Sequence, residues 1–350
     1  YVGRFFLFCR ERQRVWEKRN ADEIRPWTRD AKLNGDFYCN IYRELDRGTC
    51  YFRSQLLSAA AKAKDQARKS GAQSRGEGRV SMESFLTEAL WLSLCYRLLN
   101  KIETFHEFGG IPSQNEWKAF LTHLERRRNR GEKIFTGAHQ TMNFKHYGET
   151  MAKLLKGDGR LLRNISSKLI DAAKKKNLKD CFQALTCIKF VGPFFGWQVT
   201  CDLMESKLLL PCTEDDFVQL GPGAKAGLKL IFNSKMTNHL EMAQLLRDIQ
   251  DDTFNALGVT FPKFRRRDIT LKNIEHALCE FHKYCESASS RKYDPDVTGR
   301  GSRSHMDVEK TCIICSSDSE YMVFCDICLN GYCIDCKDAP EEGDSTWLCA

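Results

Sequence analysis

Seven cysteines near the C-terminus carry the plainest chemistry. They run Cys312-x2-Cys315-x9-Cys325-x2-Cys328-x4-Cys333-x2-Cys336-x12-Cys349. Two cysteines separated by two residues can place both sulfurs on one ion, and zinc takes four such ligands in a tetrahedron. Three pairs and a seventh cysteine imply two zinc ions, with an eighth ligand expected two residues past Ala350. A second constellation is Asn40, Arg43 and either Glu44 or Asp46, three or four residues apart. On a helix they would share a face. An amide, a guanidinium and a carboxylate together suit reading a base edge or holding a phosphate. A capping and salt-bridge network would use the same residues.

The elements that must position these groups are mostly helical. Residues 4–57 combine helical periodicity with aromatics. Residues 60–80 are poor in apolar side chains and rich in Lys, Arg, Gly and Ser, which predicts a flexible basic loop. Residues 82–105 are apolar at i, i+3, i+4 and i+7, which predicts one buried helix. Ser113 and the Glu that follows it mark a helix start. Further helices are expected near 145–156, 162–175, 178–187, 194–206, 224–232, 239–250 and 271–286, and no convincing period-2 strand occurs. The expected organisation is a mostly α domain over 1–287, a linker over 288–307 and the zinc finger over 308–350.

Charge and cysteine divide along the same boundary. The chain of 350 residues carries a net charge of +8. From Met306 to Ala350 there are ten acidic and two basic residues, a balance of −8, which leaves +16 on the other 305. A basic body points to a polyanion such as nucleic acid, and an acidic finger to a cationic partner. Ordinary solvated surface is the alternative. Ten of the 17 cysteines are scattered singly, several inside apolar runs (Cys95, Cys187, Cys201), as buried reduced thiols would be. A reducing compartment is expected. No apolar run approaches the roughly 18 residues that cross a bilayer, so no membrane partner is expected. The chain opens on Tyr1, as a fragment of a longer protein would. GxxxxGK[ST], HExxH and GxSxG are absent, which argues against P-loop kinase, zincin and serine-hydrolase chemistry in these residues.

The cysteine pattern resembles a PHD finger, with Trp347 two residues before the seventh ligand. Cys333 stands where a His is usual, which is similar to the all-cysteine regulatory finger of de novo DNA methyltransferases. That resemblance implies a cross-brace. Cys312, Cys315, Cys333 and Cys336 would hold one zinc, and Cys325, Cys328, Cys349 and the residue beyond Ala350 the other. It also implies a histone tail paired with a strand near Tyr321–Phe324, with Asp318, Glu320 and Asp326 meeting Lys or Arg. A finger that only packs on the body remains open, as does a RING finger.

Leu185–Asp202 holds a Val191-Gly192-Pro193 turn between two apolar helical stretches, and resembles a helix-hairpin-helix. In that motif, amides at a glycine-containing turn bind a DNA phosphate. Phe190 stands where the first glycine is usual, and Asp215 and Asp216 follow at about the distance of the catalytic Asp in helix-hairpin-helix DNA glycosylases. The lysine of bifunctional glycosylases would fall near Phe194, so Schiff-base chemistry is not expected. Gly221-Pro-Gly223 would make a second phosphate cradle or a simple helix-start turn.

Six segments then occur in order: Phe6 and Phe8 with Arg10–Gln13; Pro26–Asp30; Phe37–Arg47 (FxCNxYRExDR); Val191–Phe194; Asp215–Leu228 (DDF-x3-GPGA-x2-GL); and Glu275–Tyr284 (EHxLCEFxKY). As a set they resemble the helical domain of 5-hydroxymethyluracil DNA kinases, itself similar to the α-glutamyl/putrescinyl-thymine pyrophosphorylases. The resemblance covers about residues 4–286. It implies a DNA-glycosylase-like helical fold and work on a modified thymine in DNA, with the base flipped into a pocket. In that reading Asp216 or Asp215 is the acid/base or electrostatic group. Asn40 and Arg43 touch base or phosphate, and Asp46 orients Arg43. His276 and Glu280 either join the site or are core residues. Arg126–Arg128 and Arg265–Arg267 contact the DNA backbone or are solvated helix ends. The expected protein is nuclear and chromatin-associated, with DNA and a histone tail as partners. A non-catalytic reader and a RING-like ubiquitin-ligase adaptor are the alternatives.

Overall fold

The computed structural model describes residues 1–35, 38–69, 82–137, 142–232 and 238–286, and the backbone of 322–324 and 331–333. The described chain is mostly helical. Its helical part forms two compact units, one from Tyr1–Asp46 with the residues from Glu214 onward, the other from Arg47–Thr213. No helix among the described residues is long and apolar enough to cross a membrane.

The first unit holds α1 (Val2–Asn20), α2 (Ala31–Gly35), α10 (Pro222–Phe232), α11 (His239–Asp248), α12 (Gln250–Ala256) and α13 (Leu271–Cys285). Its core is aromatic. Phe5 meets Phe281 edge-on at 5.5 Å, Phe6 meets Phe254 at 5.1 Å, and Phe254 stacks on Phe261 at 4.9 Å. Such rings bury a large area each and prefer these offset geometries. α10 packs tightly on α13. A Cβ at Gly223 would meet Cys279 Sγ at 2.6 Å, and one at Gly227 would meet the Leu278 carbonyl oxygen at 2.4 Å. These two glycines let the helix backbones approach. The phosphate-cradle reading of Gly221-Pro-Gly223 is thereby corrected: Gly223 serves helix packing, and the Gly221 N–H points at Glu275 Oε1, 3.5 Å away.

The second unit holds α3 (Arg47–Lys69), α4 (Met82–Leu99), α5 (Ile102–Phe108), α6 (Trp117–Asn129), α7 (Phe144–Lys174), α8 (Leu178–Thr186) and α9 (Pro193–Glu205). α4 is buried on all sides from Leu86 to Leu99 apart from half-buried Glu88, as a helix apolar all round must be. It packs against α3, α7 and α9. Inside, Arg97 donates to Asp202 through Nε at 2.8 Å and Nη2 at 2.5 Å, and Ser93 Oγ donates to the same carboxylate at 2.8 Å. Removing one partner of a buried pair strands the other charge, so this contact ties α4 to α9.

Two expectations need correction here. The expected loop at 60–80 is helical up to Lys69, because Ala59–Ala61 and the Lys, Gln, Ala and Arg that follow are strong helix formers. Residues 70–80 lie outside the described residues. The single helix expected over 82–105 ends at Leu99, where Asn100 turns into the left-handed region (φ +51°) and α5 begins at Ile102. The two stretches expected at 145–156 and 162–175 are both helical, the two arms of α7, and they are separated at Lys156–Gly159, where two glycines and Asp158 have positive φ. The Ser113 start holds: Ser113 and Glu116 form a capping box ahead of α6.

Two short antiparallel strands, β1 (Met322–Phe324) and β2 (Gly331–Cys333), pair with Val323 opposite Tyr332. Apart from the backbone of Cys333 on β2, the zinc-ligand cysteines expected at 312, 315, 325, 328, 333, 336 and 349 lie outside the described residues.

Gly227→Ala should cost about 3 kcal/mol by overpacking α10 on α13. Gly192→Ala, with φ −76° and nothing within 4 Å of the new Cβ, should stay within about 0.5 kcal/mol. Urea unfolding of both variants checks the pair; equal effects would refute the packing argument.

Candidate functional site

The segment Tyr38–Asp46 of the first unit has little regular structure. It has no regular structure over 38–40 and makes one 3-10 turn at Arg43–Leu45. Backbone groups in such a segment need partners from elsewhere. Arg12 supplies them. It sits in the α1 stripe of Phe5, Phe8 and Cys9 and is 7% exposed. Its Nε donates to the Tyr38 and Cys39 carbonyls at 3.2 and 3.0 Å, and its Nη2 to the Tyr38 carbonyl at 3.0 Å and Asn40 Oδ1 at 2.6 Å. Burial lowers the Arg12 pKa to about 10, with nearby Asp46 holding it up.

Asn40 passes the constraint on. Its Nδ2 donates to the Leu45 carbonyl at 2.6 Å, and its backbone N–H to Asp46 Oδ1 at 2.8 Å. The other Asp46 oxygen lies 2.9 Å from His276 Nε2 on α13. One turn further along α13, Glu280 Oε2 accepts the Cys39 N–H at 3.0 Å, and Glu280 Oε1 pairs with Lys283. Burial opposes the charge on Lys283, but Glu280, Cys39 and Cys279 together outweigh it and raise the pKa. Burial pushes the Cys39 thiol well above its usual range, and the Glu280 and Asp46 carboxylates push it further. The structure thus gathers Asn40, Asp46, His276 and Glu280, and adds Arg12 and Cys39. A carboxylate-held imidazole is an arrangement suited to moving protons.

A second polar group lies along the same segment. Lys272, 1% exposed, donates to Glu214 Oε1 at 2.9 Å. Glu214 Oε2 also accepts Thr270 Oγ1 at 2.7 Å, and Asn273 Oδ1 accepts the Arg43 N–H at 3.1 Å. The helix face expected to carry Asn40, Arg43 and Asp46 does not form, because residues 40–46 turn instead of completing helical turns. Arg43 is buried, and Asp46 bonds Asn40 and His276 rather than orienting Arg43.

The other expected site residues are placed as follows. Asp215 is exposed and accepts the Leu271 N–H at 2.8 Å, which caps α13; Asp216 beside it is exposed. The half-buried carboxylate of that stretch is Glu214. Arg127 is 5% exposed and pairs with Glu107 and, at 3.3 Å, with Glu132, so the backbone-contact reading is corrected for it. Arg126 is exposed, and Arg128 lies over the Phe144 ring at 4.4 Å. Arg265 and Arg266 are exposed with positive φ. Arg267 pairs with Glu44 and lies 5.8 Å from the Tyr42 ring, so it serves the first unit's own structure.

In the second unit, α8 and α9 flank the Ile188–Gly192 turn. The Val191 N–H returns to the Ile188 carbonyl at 2.9 Å, and Gly192 is the N-cap residue of α9. Phe190 has φ +67°, the conformation that glycine favours. Its ring stacks on His146 at 4.0 Å and carries Lys189 at 4.5 Å. Lys189, Gly192, Pro193 and Phe194 are exposed. The same unit holds a cleft of about 910 Å³ lined by Gln55, Lys62, Glu88, Gln114 and Arg163, where burial raises the Glu88 pKa. The sequence reading missed this cleft, along with Arg12, Cys39 and Glu214. For Arg12 a signal existed: a charged residue inside the apolar stripe of α1.

These features define a mostly helical protein with a polar centre packed on its last helix. A family model described as 5-hmdU DNA kinase, helical domain, matches residues 1–67 and 80–293, and the chain belongs to that family. A protein of Bacillus phage SP10, 5-hmdU DNA kinase, is 24% identical over 311 residues, covering 83% of this chain and 46% of that protein. The chain therefore spans about half the length of the curated relative it matches. No solved structure matches.

Asn40→Ala strands one side of the buried Arg12 and should cost about 2 kcal/mol. Urea unfolding measures it, and a loss under about 0.5 kcal/mol would show that Asn40 does not hold the segment.

Proposed function

We propose that this chain binds DNA carrying 5-hydroxymethylated pyrimidines, 5-hydroxymethyluracil first, and takes part in their further modification. The observation that carries the reading is the family match over 1–67 and 80–293, which spans both polar centre and hairpin. The relative's name points to the same base. The α8–α9 turn supports a phosphate contact of the helix-hairpin-helix kind. The first turn of α9 faces outward beside Lys189, and helix N-termini favour anions. Phe190 takes the left-handed conformation for which that motif uses glycine. Lys189 is shared with Glu149, 3.5 Å away, so a phosphate would compete for it. Around the base, we assign Asn40, Asp46 and His276 as the polar groups of the site, with the Asp215–Asp216 stretch less central.

A second reading concerns the C-terminus: two zinc ions on the seven cysteines and a nuclear, histone-tail-reading finger. The β1–β2 pair supports it, since β1 falls where the tail-pairing strand is expected and β2 ends on Cys333.

Duplexes carrying thymine, 5-hydroxymethyluracil, 5-methylcytosine or 5-hydroxymethylcytosine, compared at two salt concentrations with mass analysis of the nucleosides, test the first reading. Preference for a hydroxymethylated duplex is expected. Lys189→Ala should weaken binding to all four about equally and lower the salt slope by about 1. Equal binding to every duplex, without product, would reduce the chain to a phosphate-driven module.

A further inference from the structure

We propose that Cys39, Asp46 and His276 form a mononuclear transition-metal site, suited to zinc, with one coordination position open. One ligand atom from each, Sγ, a carboxylate oxygen and an imidazole nitrogen, lie within 4.8 Å of one another. A tetrahedral zinc holds such donors at about 2.0–2.3 Å, which sets them about 3.3–3.8 Å apart. Closing the triangle on an ion takes a small opening of the 2.9 Å contact between His276 and Asp46, with the three atoms, all within 4.8 Å, drawn to ligand spacing.

The donor set narrows the ion. A thiolate and an imidazole favour zinc over magnesium or calcium, which take oxygen ligands. Three protein ligands of mixed type are the pattern of zinc sites that keep a fourth position for water or substrate. The side chains of His276 and Asp46 are 15% and 18% exposed, so water and an ion can reach them.

The surroundings resemble a built second layer. Asp46 keeps its other oxygen on the Asn40 N–H, and Asn40 is locked by Arg12 and Leu45. Cys39 is anchored by its own N–H on Glu280, one turn beyond His276 on α13. Outer bonds of this kind hold ligands in place before the ion arrives. Such an ion would lower the pKa of a bound water and so supply a base or a nucleophile at neutral pH. The proposal does not depend on the DNA reading, because its readout is the metal itself.

The seven-cysteine segment gives a useful contrast, since no histidine occurs between Cys312 and Cys349. The whole chain loaded with cadmium-113 should show coupling between cadmium and imidazole ring protons, which ligands drawn from that segment cannot give. This measurement needs no variant. Zinc content by mass spectrometry should then fall by one equivalent in Cys39→Ser and in His276→Gln, each checked for folding by circular dichroism. Absence of imidazole coupling in the parent, or unchanged zinc content in the folded variants, would overturn the site and leave a plain His–Asp hydrogen bond.

Discussion

A guanidinium removed from water governs the first unit. Arg12 is buried in an aromatic core where an uncompensated charge would cost several kcal/mol. Two backbone carbonyls, the Asn40 amide and the nearby Asp46 carboxylate offset that cost. The consequence is that Tyr38–Asp46, which forms no helix long enough to satisfy itself, has one conformation. Everything else in the polar centre hangs on that segment: His276 finds Asp46, and Glu280 finds the Cys39 N–H.

The other side of the centre is set by helix packing. α13 carries His276 and Glu280 on one face and Leu278 and Cys279 toward α10. Gly223 and Gly227 let α10 come so close that α13 has little freedom to rotate. Capping of α13 by Asp215 fixes where it begins. An acidic residue that resembles a catalytic group by its place in the chain is therefore also the residue that starts this helix. The second unit repeats the principle of one buried charge pair in an apolar setting, with Arg97 and Asp202 joining α4 to α9. There Lys189 and Gly192 of the turn ahead of α9 are exposed.

Family membership and the polar centre bear on each other. Five of the six segments that carry the resemblance lie wholly or almost wholly in the first unit, and three of them meet around Arg12. The sixth, Val191–Phe194, is the hairpin of the second unit. The family match passes over residues 68–79.

Local pattern was enough for most of the helices, because an apolar stripe at helical spacing must be buried and a Ser with a Glu three residues on must cap. The ends were harder. Asn100 ends α4 by adopting positive φ, and 60–69 became helix because Ala, Lys and Gln favour it. Of the candidate site, Asn40 and Asp46 could be named from spacing and motif beside Arg43, Asp215 and Asp216, and His276 and Glu280 through the resemblance with a core reading left open. Their partners could not. Arg12 reaches Asn40 across 28 residues and His276 reaches Asp46 across 230. Sequence spacing speaks only for neighbours on one element, whereas burial of a charge is settled by whatever the fold brings beside it. That is why the residue types were determined by the sequence, and why only the tertiary structure decided that Arg12 anchors the segment, Asp215 caps a helix and the buried Arg127 pairs with Glu107 and Glu132.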